Sequence, residues 1–291
     1  HRHLDHGAKV VVVLLADAEQ RPGDSRPGDS RSVPPFTAVL GLCDDGAPLL
    51  LRLSSPDVAH VLISGTTGSG KTALCQTVLL SLAMLHRRSQ LQFVLIDPKR
   101  RAFAPFAAIP HLLRPILSTA GEAADALAGL VHLMEGRQSP LPRIVVALDE
   151  LADLMQSKAG PELTGHLTRL VQRGREAGVH VIACTQKPSS QVLGTLVRAN
   201  FPARLVGRVV SPEDARVAAG IGGTGAERLL GRGDFIAVAA GQVVRFQAAH
   251  MTQAEMEQVI AQLSSSPRRG DVLQGRPSLL RQAAALVARA N

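Results

Sequence analysis

The sequence predicts an α/β protein with a mainly parallel central sheet. From residue 60 onwards, short apolar runs of strand length alternate with helical stretches, as in a parallel sheet covered by helices on both faces. Hydrophobic residues make up 45% of the 291-residue chain and charged residues 19%, which excludes a disordered chain. No apolar run is long enough to cross a bilayer, so we expect no membrane segment within this chain.

The first 58 residues are predicted to form a small β-containing segment. It begins with a strand at residues 9–16. The sequence Arg-Pro-Gly-Asp-Ser then occurs twice in succession, at residues 21–30, which is typical of a flexible loop. A hairpin follows at residues 36–53, because two apolar runs flank an Asp-Gly turn signal at residues 45–46.

Residues 59–263 are predicted to form the main domain, and residues 264–291 a linker followed by a terminal helix at 277–291. Strands are predicted at 36–42, 48–53, 61–64, 92–97, 144–149, 179–185, 204–210, 234–240 and 242–248. Helices are predicted at 72–87, 121–135, 161–177, 212–219 and 252–263. The last of these helices has Thr252 as its N-cap and Glu255 three residues later, as in a capping box.

The composition restricts the partners and the compartment. A formal net charge of +8 favours a polyanionic partner, although a high arginine content can also reflect genomic base composition. Neither Trp nor Tyr occurs, so the usual side chains for stacking on single-stranded bases are missing. Cys43, Cys75 and Cys184 lie in apolar segments without metal-like spacing, which favours free thiols in a reducing, cytoplasmic compartment. The first residue is His1 rather than Met, so we expect this chain to be part of a longer protein. A membrane anchor upstream of His1 is compatible with this sequence.

The clearest motif is a glycine-rich loop between a predicted strand and a predicted helix. It consists of Gly65, Thr66, Thr67, Gly68, Ser69, Gly70, Lys71 and Thr72, which match the P-loop pattern. Backbone N–H groups of such a loop surround phosphate oxygens, and the following helix N-terminus adds positive potential. We expect Lys71 to reach the β- and γ-phosphates of ATP, and the Thr72 hydroxyl to bind Mg²⁺.

Two adjacent acids end another apolar strand. Asp149 and Glu150 follow residues 144–148 and are expected at the carboxyl edge of the sheet, where α/β proteins bind ligands. Asp149 would belong to the Mg²⁺ shell, and Glu150 would polarise the attacking water as a general base. The alternative is a strand end with two solvated acids. The P-loop earlier in the chain favours the catalytic interpretation.

Two weaker signals come later in the chain. Gln186 ends the strand at 179–185 and could contact the γ-phosphate or its water, although a glutamine at a strand end is usually a surface cap. Arg169, Arg173 and Arg175 precede that strand. They form either a solvated helix face or an arginine finger, which would enter the ATP site of a neighbouring subunit.

Several motifs together resemble the motor of the FtsK/SpoIIIE DNA translocases. They keep the same order along the chain and cover roughly residues 36 to 263. The matching stretches are residues 60–72, 96–99, 109–113, 148–154, 173–180, 184–189 and 225–234.

The resemblance implies a RecA-like core, a homo-oligomeric ring that is usually a hexamer, and ATP-driven movement along double-stranded DNA, with chromosome segregation among the possible roles. It also implies that Arg175 is the trans-acting finger, with Arg173 as the near alternative. A winged-helix module that reads DNA often follows such motors, and the helix at 277–291 resembles the first helix of one, so we expect the natural protein to continue past Asn291. The alternative is a terminal helix that docks onto the core or onto a neighbouring subunit.

Two other functions are compatible with the motifs. The first is a related coupling or secretion ATPase that moves a protein or nucleoprotein substrate. The second is a nucleotide-binding scaffold without turnover. The joint presence of Lys71, Thr72, Asp149 and Glu150 disfavours the scaffold, because binding alone does not need the catalytic acids.

Overall fold

A computed structural model describes residues 35–186 and 200–265 of this chain. The predicted strand at 9–16, the repeat at 21–30 and the terminal helix at 277–291 lie outside the described residues. Among the residues described, no helix has both the length and the apolar character that a membrane crossing requires.

The centre of the fold is a nine-stranded mixed sheet, with strand order β2-β1-β9-β8-β7-β3-β6-β5-β4. Five neighbouring strands, β7 to β4 in that order, are parallel, and β8, β9, β1 and β2 extend the sheet with antiparallel pairs. The strands are β1 (Thr37–Cys43), β2 (Pro48–Arg52), β3 (Val61–Ser64), β4 (Leu91–Ile96), β5 (Arg143–Leu148), β6 (Val179–Thr185), β7 (Ala203–Val206), β8 (Asp234–Ala239) and β9 (Gln242–Ala248).

Helices cover both faces of the parallel half, which confirms the predicted α/β core. The α-helices of the described ranges are α1 (Lys71–Leu85), α2 (Ala120–Gly136), α3 (Leu151–Met155), α4 (Gly160–Arg173), α5 (Pro212–Ala219) and α6 (Gln253–Ser265). Short 3₁₀ turns occur at Ala104–Ala108 and Ala226–Arg228. The predicted capping box at the start of α6 is present, because the Glu255 amide donates to Thr252 Oγ1 and the Thr252 amide donates to Glu255 Oε2.

Alternate residues of the parallel strands enter two separate cores. Val145 and Ala147 of β5 face the core that α1 and α6 cover, whereas Val146 and Leu148 face the core under α2, α3 and α4. Because both faces are buried, these strands consist of continuous apolar residues, as the sequence pattern indicated. A third, small core lies between α5, β7 and β8.

The N-terminal hairpin is part of the same sheet as the main domain. β1 pairs with β2 around the predicted turn and also pairs antiparallel with β9, so that Gly41 lies opposite Ala248. Its apolar residues Ala38 and Leu40 enter the same core as α1. A division of the chain at residue 58 stays a prediction.

Two predicted elements end earlier than expected. The predicted strand at 204–210 ends at Val206, because the chain then turns so that the Arg208 carbonyl accepts hydrogen bonds from Thr66. The predicted helix at 161–177 ends at Arg173, and residues 174–178 form a turn. There, the Val179 amide donates to the Gly174 carbonyl and leads the chain into β6. All three cysteines are free, as predicted.

Candidate ATP site

The glycine-rich loop lies between β3 and α1, at the edge of the sheet where the parallel strands end. The last residue of β3, Ser64, lies opposite the last residue of β6, Thr185. The P-loop and Gln186, which follow these two residues, are therefore adjacent. Gly70 has a φ of 101°, and a Cβ at this position would lie 2.9 Å from the Gly233 nitrogen. This position therefore needs glycine, both for its left-handed backbone and for the close approach of the 231–233 turn.

Lys71 begins α1 and is 7% exposed. Its Nζ donates a hydrogen bond to the Thr66 carbonyl at 2.9 Å across the loop, and burial lowers the pKa of its amine. Ser69 Oγ, in the same loop, is buried and has no hydrogen-bond partner among the residues described. Such a buried hydroxyl, beside a lysine and a helix N-terminus, fits the phosphates of a nucleotide.

Neighbouring segments hold the tip of the P-loop from several sides. On the β7 side, the Thr66 amide and hydroxyl both donate to the Arg208 carbonyl, at 2.7 Å and 3.1 Å. On the β6 side, Thr67 Oγ1 donates to Gln186 Oε1 at 2.9 Å. The amide of Arg232 donates to the Gly68 carbonyl at 3.1 Å. Gln186 was predicted as a site residue, whereas Arg208 and Arg232 were not, because they contribute here through their backbones.

Glu150 is the second residue after β5, next to Asp149, and has an unusual backbone conformation. Its φ and ψ are 56° and 63°, the left-handed region that non-glycine residues rarely adopt, and the residue is 5% exposed. Glu150 Oε1 accepts a hydrogen bond from the Gln186 amide at 3.1 Å, and Oε2 lies 3.8 Å from Lys99 Nζ. The carboxylate is therefore oriented from two directions at the end of the sheet that carries the P-loop.

Asp149 lies in a strongly anionic environment. Burial, together with the neighbouring carboxylates of Asp97 and Glu150, raises the pKa of its carboxyl to about 6, against the opposing charges of Lys99 and Lys71. Asp97 is fully buried at the end of β4, where its Oδ2 accepts a hydrogen bond from the Phe103 amide. Carboxylate and hydroxyl oxygens are ligands that Mg²⁺ prefers, so Asp149 together with the half-buried Thr72 hydroxyl fits that ion.

Asp97 and Lys99 are site residues that sequence reasoning did not assign. Both follow β4, and the register of β4 with β5 brings the two strand ends together. Lys99 Nζ lies 3.1 Å from Asp153 Oδ2 as well as near Glu150, so this ammonium links two acids. The available signal was Ile-Asp-Pro-Lys at a strand end, which resembles the polar strand ends after β5 and β6.

Arg175 is not part of this cluster. It lies in the turn between α4 and β6, so the seven residues of β6, about 23 Å of strand, separate it from the edge that carries Gln186. Its guanidinium is 41% exposed, and the nearest acidic oxygen is that of Glu176 at 3.7 Å. Arg173, the alternative finger, ends α4 and is exposed at the same edge. Neither arginine can act on the ATP site of its own chain.

The fold and the site define a P-loop ATPase. The model of the FtsK/SpoIIIE family matches residues 30–141 and 138–190, more than half of the chain. The chain belongs to the FtsK/SpoIIIE family, which confirms the resemblance seen in the sequence.

Known relatives match most of this chain but only part of their own length. DNA translocase SftA of Bacillus subtilis is 35% identical over 260 residues, which cover 80% of this chain and 27% of that protein. DNA translocase FtsK of Tropheryma whipplei is 32% identical over 79% of this chain and 35% of its own length. Among solved structures, the cytoplasmic domain of the Thermomonospora curvata type VII secretion ATPase EccC superposes with a TM-score of 0.69 and 27% identity, over 83% of this chain and 33% of that one.

Proposed function

We propose that this chain is the ATP-hydrolysing motor of a cytoplasmic DNA translocase that works as a homo-oligomeric ring, which we take to be a hexamer. The observation that carries the ATPase proposal is the geometry of Glu150, a buried carboxylate oriented by Gln186 and Lys99 beside a complete P-loop. The DNA substrate is supported by family membership and by the similarity to the DNA translocases SftA and FtsK.

The P-loop residues divide the work of binding the triphosphate. The backbone amides of residues 65–72 and the Lys71 ammonium bind phosphate oxygens, which requires the Lys71 amine to leave the Thr66 carbonyl. Thr72 and Asp149 would hold Mg²⁺, which neutralises charge on the β- and γ-phosphates when it is bound. The Asp149 carboxylate is surrounded by other acids, and a divalent cation relieves that repulsion.

Glu150 is the general base of the proposed reaction. Its carboxylate accepts the proton of the attacking water while that water is held in line with the γ-phosphate. The left-handed backbone at Glu150 directs the side chain back to Gln186, to whose amide it is bonded at 3.1 Å. Gln186 contacts Thr67 of the P-loop with its side chain and Glu150 with its backbone, so it couples phosphate occupancy to the position of the base.

Arg175 is proposed to complete the site of a neighbouring subunit. It lies at the opposite edge of the sheet from its own P-loop, with a partly exposed guanidinium. An arginine that enters a site in trans stabilises the charge of the transferring phosphoryl group. Hydrolysis then depends on assembly, which supports a ring with ATP sites between subunits.

The surface chemistry supports contact with the DNA backbone rather than with bases. The chain has a net charge of +8 and no Trp or Tyr, and all seven phenylalanines are buried. Binding through phosphates does not depend on sequence and weakens steeply with salt. A motor that moves along any duplex needs this property.

A second candidate is an ATPase that moves a protein substrate. The observation in its favour is the similarity to the secretion ATPase EccC, at a TM-score of 0.69 and 27% identity. The two candidates share the ATP site and differ only in what stimulates hydrolysis.

One experiment separates the two candidates. ATP turnover is measured with long linear duplex DNA, with an unfolded polypeptide of similar mass, and with neither, while mass photometry reports the assembly state. DNA translocation predicts stimulation by duplex DNA alone, lost as salt is raised. Stimulation by the polypeptide alone supports the second candidate, and a lack of turnover by assembled rings in all three conditions contradicts both.

A further inference from the structure

Two adjoining loops on the β7 side of the P-loop expose a pair of aliphatic side chains, Val210 and Leu230. Their exposed fractions, 81% and 79%, are the largest among the large hydrophobic residues of the described ranges. The preceding residues, Val209 and Leu229, are buried in the small core next to α5. In each loop, one apolar side chain is therefore buried in the core and the side chain of the next residue is exposed to solvent.

The residues that precede Val210 and Leu230 share one hydrogen-bond acceptor. The Ala226 carbonyl accepts a hydrogen bond from the Val209 amide and another from the Leu229 amide, both at 3.4 Å. Because one acceptor binds the residue before each of them, Val210 and Leu230 project from adjoining backbone. We call this pair the Val210–Leu230 patch.

Both loops are also fastened to the P-loop. Arg208, two residues before Val210, accepts the hydrogen bonds of Thr66 through its carbonyl. Arg232, two residues after Leu230, donates its amide to the Gly68 carbonyl. The Val210–Leu230 patch therefore lies beside the phosphate cradle rather than at a remote place on the surface.

The other side of the cradle gives the bound triphosphate a direction. Asp149, Glu150 and Gln186 lie on the β5 and β6 side, where the γ-phosphate and the attacking water belong. The nucleoside end of the same molecule then points away from these carboxylates. In the sheet, β3 leads into the P-loop and lies between β6 and β7. The side opposite to β6 is therefore the side of β7 and the loop that follows it.

The base needs an apolar surface, and this chain has no exposed aromatic platform of the Phe, Tyr or Trp type. Trp and Tyr do not occur, and all seven phenylalanines are buried. Small-molecule sites combine a few polar groups with mainly apolar contacts. Aliphatic side chains beside the cradle are the apolar surface that the described loops provide.

We propose that the Val210–Leu230 patch is the nucleoside subsite of the ATP site, with the two aliphatic side chains packed against the base or ribose. This inference rests on the proposed ATPase function, because it takes its ligand from the P-loop.

Inorganic tripolyphosphate separates the subsite from the phosphate cradle, because it carries the phosphates of ATP without a nucleoside. Calorimetric titration of the full chain with ATP and with tripolyphosphate, both with Mg²⁺, compares four proteins: the parent, the double variant Val210→Ala/Leu230→Ala, Lys71→Ala and the control Leu133→Ala. Leu133 is 42% exposed on α2, away from the P-loop. Circular dichroism and mass photometry report folding and assembly.

We expect the double variant to bind ATP about tenfold more weakly, because it loses several methyl groups that the bound nucleoside would bury, and to bind tripolyphosphate like the parent. Lys71→Ala should weaken the binding of both ligands, and Leu133→Ala should change neither. A double variant with parental ATP affinity, or with equal losses for both ligands, overturns the subsite alone. A changed assembly state with unchanged ATP affinity overturns it in favour of a second copy of this chain. A parent that binds neither ligand overturns the ATPase proposal together with the subsite.

Discussion

The two edges of the parallel sheet contain different kinds of buried polar residue. At the edge where the strands end, Asp97 and Glu150 are buried, and Glu150 contacts Lys99 and Gln186. At the edge where the strands begin, His60 and His180 are buried. Burial, with a smaller contribution from nearby arginines, lowers the pKa of His60 to about 4 and that of His180 to about 3.

The hydrogen bonds at the second edge require neutral rings. His60 Nδ1 accepts from the Val181 amide at 3.0 Å, so this nitrogen carries no proton. His180 Nδ1 lies 2.9 Å from the Ala59 carbonyl and donates to it, which leaves Nε2 to accept from Arg143 at 3.3 Å. Arg175, close to these neutral rings, is partly exposed, and Glu176 is its only salt-bridge partner among the residues described.

In the proposed ring, this difference would separate the edge of the sheet that hydrolyses ATP from the edge that contacts a neighbouring subunit. One edge keeps buried charge and a strained Glu150 backbone, both of which destabilise the fold and are useful only with a ligand present. The other edge consists of satisfied neutral rings and presents Arg175 outward. A ring would join the two kinds of edge from different subunits.

The largest effect is expected from Glu150→Gln, which tests the first edge. The amide keeps the shape of the side chain but cannot accept the proton of water, so turnover should fall on the order of 10⁴-fold while the ATP Kd stays near the parental value. Steady-state ATPase assays and nucleotide titrations measure the two quantities. Asp153→Asn is the matched control, because it removes the other acid that contacts Lys99 and should leave most turnover intact. Rapid turnover by Glu150→Gln rings contradicts the base assignment.

Arg175→Ala tests the second edge and should lower turnover on the order of 10³-fold, with ATP binding nearly unchanged. Mixing Arg175→Ala subunits with Glu150→Gln subunits should restore part of the activity, because some interfaces then combine an intact base with an intact finger. Arg173→Ala in the same assay tests the alternative finger: a loss of turnover in this variant instead would assign the role to Arg173. If mixed rings form and never regain turnover, the trans assignment is wrong.

Gly178→Ala should destabilise the turn that carries Arg175 by about 3 kcal/mol. Gly178 has a φ of 74°, and a Cβ there would lie 2.1 Å from the Pro140 carbonyl oxygen, so strain and a backbone clash combine. Urea denaturation measures the free energy of unfolding. Gly129→Ala is the control, because nothing lies within 4 Å of its added Cβ and α2 should gain about 0.5–1 kcal/mol. Equal stability of the two variants contradicts this account of the turn.

The smallest effect for a single residue is the loss of stability that acid causes through a buried histidine. Because the folded-state pKa values of His60 and His180 lie below the ordinary value of 6.5, their stabilising contribution is complete above pH 6.5 and is lost as the pH falls towards 4. Each histidine should lower the free energy of unfolding by about 1.4 kcal/mol per pH unit in that window.

Urea denaturation between pH 7.5 and pH 5 measures this slope. His60→Asn should reduce this slope by the contribution of one titrating histidine. Asn is chosen because its side-chain oxygen can still accept the hydrogen bond from the Val181 amide. His132→Asn is the control, because His132 is exposed on α2. An identical slope in the His60 variant and the parent contradicts the buried neutral ring.

Much of the ATP site was predictable because its signals are local. The P-loop needs a strand, a glycine-rich loop and a helix in succession, and residues 61–85 contain all three. Asp149, Glu150 and Gln186 were predicted as strand-end residues, and parallel pairing brings such ends to one edge. The hydrogen bond between Thr67 and Gln186, 119 residues apart, follows from that rule.

Other parts of the site could not be read from the sequence. Arg208 and Arg232 support the P-loop through their backbones, so their side chains give no signal. Lys99 joins Glu150 only because β4 lies in register with β5. The union of the β1–β2 hairpin with β9 joins segments that are about 200 residues apart.

By itself, the sequence determined the order of strands and helices, the phosphate loop and the identity of the acids, because each depends on the spacing of residues within a few turns of chain. Only the tertiary structure decided which of these residues meet. Parallel pairing of β5 and β6 placed Arg175 at the opposite edge from its own Glu150, and the Val209–Ala226 hydrogen bond brought together the loops that carry Val210 and Leu230 next to the P-loop. The physical reason is that hydrogen-bonded strand register and burial of both sheet faces are satisfied across the whole chain, not within any one segment.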